Sequence, residues 1–313
     1  MNKMITIVTP YFKAFKYINR YLDSLRSQTC KDFEVILIDD ASCDGKIAEI
    51  EEKFIAAGIN YSIKINSVNL GPGVSRNIGL EQAKGDFVLF LDADDWLHVD
   101  AIKKIQQVIS KNYDDVPDVI CFNWYKVVNN SCQRRSVFNF ETGSDDKDLV
   151  WKINTSTLGK AYKLKTLRSA KVQFYPGYLG EDMYFTVLAI LSAKGIKIID
   201  DSLYYYVVNK GSLTNTKSEN NIKELKQIVL SLKERLSQAE GLFSYLYLRE
   251  YLYGAIKYRN AELSQQMRED ISNYPYHDII KFSKYLKWHQ FLLVICCKAK
   301  LHWILRWFFK CWM

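Results

Sequence analysis

The sequence lacks the signals of a membrane-spanning or secreted protein. Its longest wholly apolar run near the carboxyl terminus, residues 291–297, is far shorter than the roughly 20 residues that a spanning helix needs. The first residues lead directly into a strand pattern at 4–9, which leaves no room for a signal peptide. The seven cysteines form no CxxC or Cys/His pattern, so neither a disulfide framework nor a zinc site is indicated. We therefore expect reduced thiols and a cytoplasmic protein.

Glycine is missing from the turn where a dinucleotide-binding domain requires it. The first strand–helix turn, residues 9–15, contains no glycine, and the close backbone approach to a pyrophosphate that G-x-G-x-x-G allows is not available there. Gly71-x-Gly73 lies in a later turn and lacks the third glycine. NAD is therefore not expected. Because residues 9–15 carry a single lysine, they also argue against the triphosphate-binding loop of a sugar-1-phosphate nucleotidyltransferase.

Acidic residues are missing from the last part of the chain. Residues 281–313 contain seven Lys or Arg and no Asp or Glu, and removing these seven charges from the net charge of +8 leaves +1 for the rest. A nucleic-acid-binding body is therefore not indicated. Four of the seven tryptophans also lie in this segment, and basic residues around aromatic faces are typical of a helix that contacts anionic lipid. We predict that residues 281–313 contact the membrane surface; a helix packed on the body or a dimer contact is the alternative.

Apolar runs alternate with helical patterns through the first hundred residues. The strand-like runs lie at 4–9, 33–38, 61–65 and 87–91, and the segments between them carry apolar residues at helical spacing. This rhythm predicts an α/β fold, Rossmann-like, with a doubly wound and mostly parallel sheet. A further strand is predicted near 117–125, a loop at 130–148, and helices from 219 onward. We expect a first domain at 1–215, with halves 1–100 and 101–215, and a C-terminal helical extension at 216–313.

Carboxylates follow two of these strands. Asp92, Asp94 and Asp95 end the fourth strand, Asp39 and Asp40 end the second, and the carboxyl ends of such strands meet at a ligand-binding edge. Oxygen-only ligands suit Mg²⁺ or Mn²⁺, and such an ion suits a phosphate-bearing substrate. The alternative is an acidic turn that caps the next helix.

Two further side chains fit a nucleotide at this edge. Tyr11 is placed to stack on a base, although it is also typical of a core aromatic residue. Arg76 is placed to bind phosphate or ribose with its planar guanidinium, although it also fits a solvated helix position.

The sequence resembles glycosyltransferase family 2, which has the GT-A fold. The resemblance runs nearly unbroken over residues 4–97 and returns at Leu158-Gly-Lys-Ala-Tyr and Gly180-Glu-Asp-Met-Tyr-Phe. The matching segments of the first part are IVTPYF at 7–12, LDSLRSQT at 22–29, FEVILIDDASCDG at 33–45, NLGPGVSRNIGL at 69–80 and AKGDFVLFLDADDWL at 83–97.

The resemblance implies an inverting, metal-dependent transfer of a sugar from a nucleotide donor, usually a UDP-sugar, to an acceptor hydroxyl. Asp40, with Thr9 and Tyr11, matches the residues that contact uracil. Asp92-Ala93-Asp94 matches the D-x-D motif of the donor site. Asp94 is then the metal ligand for Mn²⁺ or Mg²⁺, and Asp95 stays open as an alternative ligand.

Asp182 matches the catalytic base of the family; the alternative is that Glu181 and Asp182 only charge the N-terminus of the next helix. Shortly after the tyrosines that match 204–206, the family often carries an Arg or His that would clamp the diphosphate. This chain has Val207 at that position, and Asn209, Lys210 or Ser212 are candidates to take over the role. The acceptor is expected to be a saccharide or a polyprenyl-diphosphate-linked sugar of surface-polysaccharide synthesis at the inner face of the cell membrane. A non-catalytic, membrane-bound scaffold that binds nucleotide sugars is the competing hypothesis.

Overall fold

The computed structural model describes residues 4–111, 116–129, 131–138, 152–177, 180–209 and 219–236, together with isolated positions between 242 and 299. The chain divides into two compact units, residues 1–212 and 213–313. Within the part that is described, no helix is long and apolar enough to cross a bilayer.

The first half of the larger unit is a parallel sheet in the order β3-β2-β1-β4. Its strands are β1 (Ile5–Tyr11), β2 (Phe33–Asp39), β3 (Tyr61–Ile65) and β4 (Phe87–Phe90). The central strands are buried on both faces, which is why they appear in the sequence as continuous apolar runs. The predicted βα rhythm is confirmed, although β1 continues two residues beyond the predicted end.

Helices connect these strands and cover both faces of the sheet. They are α1 (Ile18–Arg26), preceded by a 3₁₀ turn at Phe15–Tyr17, α2 (Ile47–Ala56), α3 (Pro72–Gln82) and α4 (Ala101–Lys111). Helix α3 begins after Gly71, whose φ of 86° favours glycine, and has proline in its first turn. It lies against β1 so closely that a Cβ atom at Gly79 would sit 2.3 Å from Val8 Cγ1. The absence of a side chain at Gly79 therefore allows α3 to pack closely on β1.

The second half of the sheet is mixed, with parallel and antiparallel pairs. It contains β5 (Trp96–Leu97), β6 (Val119–Val128), β7 (Ser131–Arg135), β8 (Lys160–Lys163) and β9 (Ile196–Val207). Strand β8 pairs antiparallel with both β4 and β6, and β6 pairs parallel with β9. The predicted loop at 130–148 was partly wrong, because β7 forms a hairpin with β6. All five β7 residues are exposed, so the strand carries no apolar alternation.

The described part of the larger unit also contains α5 (Leu164–Ser169) and α6 (Glu181–Ser192). An aromatic cluster packs between them and the sheet, with Phe174 stacked on Phe185 at 4.1 Å and Phe90 edge-on to both rings. In the second unit, α7 (Glu219–Arg235) buries Leu225, Ile228, Val229 and Leu232, which confirms the helix predicted from their spacing. The predicted membrane-contacting tail, 281–313, lies outside the described residues except at three isolated positions.

Candidate active site

The predicted strand ends meet at one edge of the sheet. Tyr11 and Asp39 are register partners in β1 and β2, and the amide of Asp40 donates to the Tyr11 carbonyl at 2.9 Å. The amide of Leu91, at the end of β4, donates to the Val8 carbonyl at 3.1 Å. The acidic segment that follows β4 therefore starts beside the end of β1.

Asp40 closes the loop that leads into α3. Its carboxylate accepts hydrogen bonds from Asn66 Nδ2 at 2.8 Å and from the amides of Leu70 and Gly71 at 2.9 and 2.7 Å. Asp40 is only 3% exposed. The side chain thus has a structural role in this loop, and its predicted contact with uracil stays a prediction.

The two β1 residues that match uracil contacts are buried. The Thr9 hydroxyl shares a 2.7 Å hydrogen bond with Tyr21 Oη on α1, and the Tyr11 hydroxyl donates to Asp44 Oδ2 at 2.8 Å. Burial, followed by the hydrogen bond to Asp44, raises the pKa of Tyr11. Both side chains are fully buried, which agrees with the alternative that Tyr11 is a core aromatic residue. Contact of these two residues with a base stays a prediction.

Asp95 anchors the acidic segment from within the protein. It is 1% exposed, and its two oxygens accept from Tyr204 Oη at 2.6 Å and from the Val207 amide at 2.8 Å. Burial and the charges of Asp94 and Asp92 raise the pKa of Asp95. Tyr204 Oη also accepts from the Asp92 amide at 3.3 Å, so β9 holds this segment at two points. Asp95 is therefore buried where Asp94 is only half-buried, and metal binding by Asp95 stays a prediction.

Asp94 is the better-placed carboxylate of the pair. Its Oδ2 accepts from Asn209 Nδ2 at 2.6 Å, and its backbone carbonyl accepts from Arg20 at 2.8 Å. Burial and the charge of Asp92 raise the pKa of Asp94 to about 6. Asn209 is one of the candidates for the role of the family's Arg or His, and its hydrogen bond to Asp94 places it directly against the acidic segment.

Arg76 joins the acidic segment to the Glu181-Asp182 motif. Its guanidinium lies 2.8 Å from Asp92 Oδ1, 2.9 Å from Glu181 Oε1 and 3.2 Å from Asp182 Oδ1, although 106 positions separate it from Asp182. The three carboxylates raise the pKa of Arg76 against the effect of burial, which would lower it. The predicted donor site and the predicted base are therefore parts of one cluster of side chains.

This cluster is buried on one side and partly open on the other. The side chains of Arg76 and Glu181 are 6% and 9% exposed, whereas those of Asp92 and Asp182 are 31% and 27% exposed. Burial, followed by the charge of Asp182, raises the pKa of Glu181, and Arg76 opposes that rise. The open carboxylates, one from each motif, are thus the ones available to ligands.

A turn before β8 supports the second oxygen of Asp182. Ser156 Oγ donates to Asp182 Oδ2 at 3.3 Å, and the Thr157 amide lies 3.5 Å from the same oxygen. The buried amine of Lys160 donates to the carbonyls of Ser156 and Leu158 at 2.7 and 3.2 Å, which fixes the turn. Burial lowers the pKa of Lys160 to about 8. Asp182 also lies in the first turn of α6, where a negative charge interacts favourably with the helix dipole. The alternative role of Asp182 at the helix N-terminus is therefore compatible with a position in the active site.

The acidic segment suits a hard divalent cation. No group of three or more metal-ligating side chains occurs in the described ranges. Mg²⁺ and Mn²⁺ sites in enzymes that act on phosphates, however, need only one or two protein carboxylates, because phosphate and water supply the other ligands. Asp94, with Asp92 beside it, meets that requirement, since a cation would offset the like charges that raise its pKa.

Comparison with known proteins assigns the family. The family described as "Glycosyl transferase family 2" matches residues 6–167, which is more than half of the chain. The chain belongs to this family. The match includes β1 to β4, the acidic segment and β8.

Relatives with curated names include two enzymes that act on poly(ribitol-phosphate). The poly(ribitol-phosphate) beta-glucosyltransferase of Bacillus spizizenii is 32% identical over 240 residues, which is 73% of this chain and 37% of that protein. The poly(ribitol-phosphate) beta-N-acetylglucosaminyltransferase TarS of Staphylococcus aureus is 30% identical over 210 residues, which is 66% of this chain and 35% of that protein. The chain thus spans about a third of the length of these family 2 relatives.

The fold matches solved structures of TarS. The crystal structure of S. aureus TarS 1-349 in complex with UDP-GlcNAc superposes with a TM-score of 0.73 at 23% identity, covering 95% of this chain and 88% of that one. A second structure of the same fragment, in complex with UDP, gives a TM-score of 0.70. The predicted GT-A fold is confirmed by this likeness.

Three features of the site were not predicted from the sequence. They are the bridge from Arg76 to Glu181 and Asp182, the anchoring of Asp95 by Tyr204, and the turn that holds Asp182 through Ser156. The Arg76 pairing joins positions more than a hundred residues apart, and no local pattern reports such a contact. The local signals were the Leu158-Gly-Lys-Ala-Tyr match and the tyrosine run at 204–206.

Proposed function

We propose that this family 2 protein transfers a sugar, with inversion, from a UDP-sugar to an acceptor hydroxyl of a saccharide or lipid-linked chain. The observation that carries the proposal is the single cluster in which Arg76 contacts Asp92 of the D-x-D motif and Asp182. The TarS complexes with UDP and UDP-GlcNAc support a uridine nucleotide, and the curated relatives support glucose or N-acetylglucosamine as the sugar.

In this proposal Asp182 is the general base. Transfer with inversion in one displacement needs a group beside the acceptor hydroxyl that takes its proton as the new bond forms. Asp182 is partly open, and its hydrogen bonds to Arg76 and Ser156 hold both oxygens in fixed directions. Such fixed orientation contributes to rate because the reacting groups need not be ordered during the reaction.

The donor side of the site would hold the diphosphate. Asp94 and Asp92 are the residues that would bind Mn²⁺ or Mg²⁺, and such an ion neutralises charge on a departing diphosphate. Asn209 and Arg20 keep the Asp94 segment in place through its carboxylate and its carbonyl. Asp40, Thr9 and Tyr11 remain the predicted contacts of the uracil.

The test separates donor binding from transfer. UDP binding and sugar transfer are measured for the wild type, for Asp182→Asn, and for Asp86→Asn as a control at an exposed position at the start of β4. We expect Asp182→Asn to lose transfer by at least about a hundredfold, the lower range for a general base, while UDP affinity is kept. Loss of UDP affinity in Asp182→Asn would show that the base is misassigned. UDP binding with no transfer to any acceptor by the wild type would favour the non-catalytic scaffold.

Placement at the membrane is a separate part of the proposal. The basic, tryptophan-rich residues 281–313 would bring the catalytic unit to anionic lipid, where a polyprenyl-diphosphate-linked acceptor would lie. Sedimentation of the full chain with vesicles containing phosphatidylglycerol tests this. Equal binding by a chain ending at residue 280 would contradict it.

A further inference from the structure

Lys160 is a buried lysine at the start of β8 that the proposed reaction does not use. It is 0% exposed, and its register partner on β6 is Cys121. None of the ion pairs among the described residues includes Lys160. A buried ammonium without a carboxylate at ion-pair distance costs stability, and an apolar side chain would fill the same strand position at lower cost. Packing alone therefore does not account for a lysine here.

The amine of Lys160 binds a single turn, which is formed by residues 156–159. It donates to the carbonyls of Ser156 and Leu158 at 2.7 and 3.2 Å. The Leu158 amide donates to Ser156 Oγ at 3.3 Å within the turn. The carbonyl of the last turn residue accepts from the Phe122 amide at 2.8 Å. The turn is thus anchored at one point on β6 and at two points on the Lys160 amine.

The same turn contacts Asp182 through its hydrogen-bond donors. Ser156 Oγ donates to Asp182 Oδ2 at 3.3 Å, and the Thr157 amide lies 3.5 Å from that oxygen. The other oxygen, Asp182 Oδ1, accepts from Arg76 at 3.2 Å. Two carbonyls of the turn therefore face Lys160, while a hydroxyl and an amide of the turn face Asp182.

We propose that Lys160 is a positioning residue for sugar transfer, because its amine holds the 156–159 turn in the conformation that directs Asp182 at the acceptor hydroxyl. This role rests on the proposed function, in which Asp182 is the general base. Lys160 acts through Ser156 and Thr157 and not by a contact of its own with the reacting atoms. A base must lie within hydrogen-bond reach of the proton that it takes, so a small displacement of its carboxylate slows transfer and leaves donor binding unchanged.

The effect of removing the amine should be confined to Asp182. Without a fixed turn beside Oδ2, the carboxylate keeps Arg76 as its charged partner and turns towards the guanidinium. The packing of β8 on α6 has a support of its own, because the hydroxyls of Tyr162 and Thr186 share a 3.4 Å hydrogen bond. Loss of the Lys160 amine should therefore displace the proton acceptor and not the helix that carries it.

The experiment replaces Lys160 by methionine in the full chain, since methionine is a flexible side chain that fills such space without the ammonium. Lys163→Met is the matched control, because Lys163 lies on the same strand and its amine contacts the Val116 carbonyl and Asp118. UDP affinity is measured, together with kcat and KM for UDP release from UDP-GlcNAc and from UDP-glucose, with water as the acceptor. We expect Lys160→Met to lower kcat by roughly ten- to a hundredfold, with UDP affinity and KM unchanged. Lys163→Met should keep the wild-type kcat.

Ser156→Ala tests the same link from the side of Asp182. It deletes the hydroxyl that contacts Asp182 and leaves both carbonyls that bind Lys160. It should lower kcat with UDP affinity unchanged. Because both substitutions break one link, Lys160→Met/Ser156→Ala should be no slower than Lys160→Met alone, whereas independent effects would multiply. Ser156→Ala decides alone if Lys160→Met does not fold, and a wild-type kcat in Ser156→Ala would then refute the link.

The results that would overturn the proposal are specific. They are a wild-type kcat in Lys160→Met, an equal loss of kcat in Lys160→Met and Lys163→Met, effects that multiply in the double variant, and a loss of UDP affinity in Lys160→Met as large as its loss of kcat. Failure of the proposed function looks different. A wild type that binds UDP and releases none from either UDP-sugar would refute the transferase function and the role of Lys160 with it, whereas a wild-type rate in Lys160→Met would refute that role alone.

Discussion

Replacing Arg76 by methionine should destabilise the larger unit, and the loss should grow with pH. Arg76 is the buried cation that faces Asp92, Glu181 and Asp182. Removing one partner of a buried ion pair typically costs about 3–5 kcal/mol. For a unit of this size that cost corresponds to a fall in melting temperature of about 6–20 °C. The control is Arg26→Met, because Arg26 is 66% exposed and its ion pair with Asp23 measures 4.0 Å, so its removal should cost less than about 1 kcal/mol.

The pH dependence follows from Glu181. Its pKa is raised from 4.5 to about 7 by burial and by Asp182, even with Arg76 beside it. A carboxyl whose pKa is higher in the folded than in the unfolded protein makes its full contribution to stability at pH values below the unfolded-state pKa. This contribution is lost as the pH rises through the folded-state pKa. Without Arg76 the folded pKa rises further, so Arg76→Met continues to lose stability above pH 7, where the wild type has stopped losing it.

Urea unfolding at pH 6 and pH 8.5 measures this difference. One carboxyl contributes about 1.4 kcal/mol per pH unit between its two pKa values, so the destabilisation should be about 2 kcal/mol larger at pH 8.5 than at pH 6. Arg76→Met/Glu181→Gln should recover most of the pH-dependent part. An equal destabilisation at both pH values, or no recovery in the double variant, would refute the role of Arg76 in balancing these carboxylates.

Two other predictions concern the supports of the site. Tyr204→Phe removes the hydroxyl that links Asp95 to the Asp92 amide. It should lower the free energy of unfolding in urea by about 1–3 kcal/mol, because a buried carboxylate loses a hydrogen-bond donor. An unchanged stability would show that the hydrogen bond from the Val207 amide is enough to hold Asp95. Gly79→Ala should cost about 1–3 kcal/mol through overpacking against Val8, and Val8→Ala in the same chain should relieve part of that cost. If Val8→Ala adds to the loss instead, the contact between α3 and β1 is not as close as the structure has it.

Most of the parallel half of the sheet could be predicted because its strands β1, β2 and β4 are buried on both faces. Continuous apolar runs located β1, β2 and β4, and the carboxylates that follow β2 and β4 located their common edge. Strand β7 could not be predicted in the same way, since Ser131 to Arg135 are all exposed and the backbone pairing described for the strand is with β6. Backbone pairing of this kind leaves no trace in hydrophobic periodicity.

The residue types of the site could also be predicted, but their contacts could not. Asp94 and Asp95 are adjacent and chemically identical, and only the fold shows that Asp95 faces Tyr204 in the interior while Asp94 faces Asn209. Arg76 was expected to meet phosphate, and in the structure it meets three carboxylates. These differences depend on β9 and α6, which reach the acidic segment from more than eighty residues further along the chain.

The most direct test of the central claim is the pair of measurements on Asp182→Asn. The claim is that a nucleotide-sugar site at Asp92 and Asp94 and a proton acceptor at Asp182 form one active site joined by Arg76. It predicts that Asp182→Asn binds UDP with wild-type affinity and transfers sugar at least about a hundredfold more slowly. Sugar transfer by Asp182→Asn at the wild-type rate would contradict it.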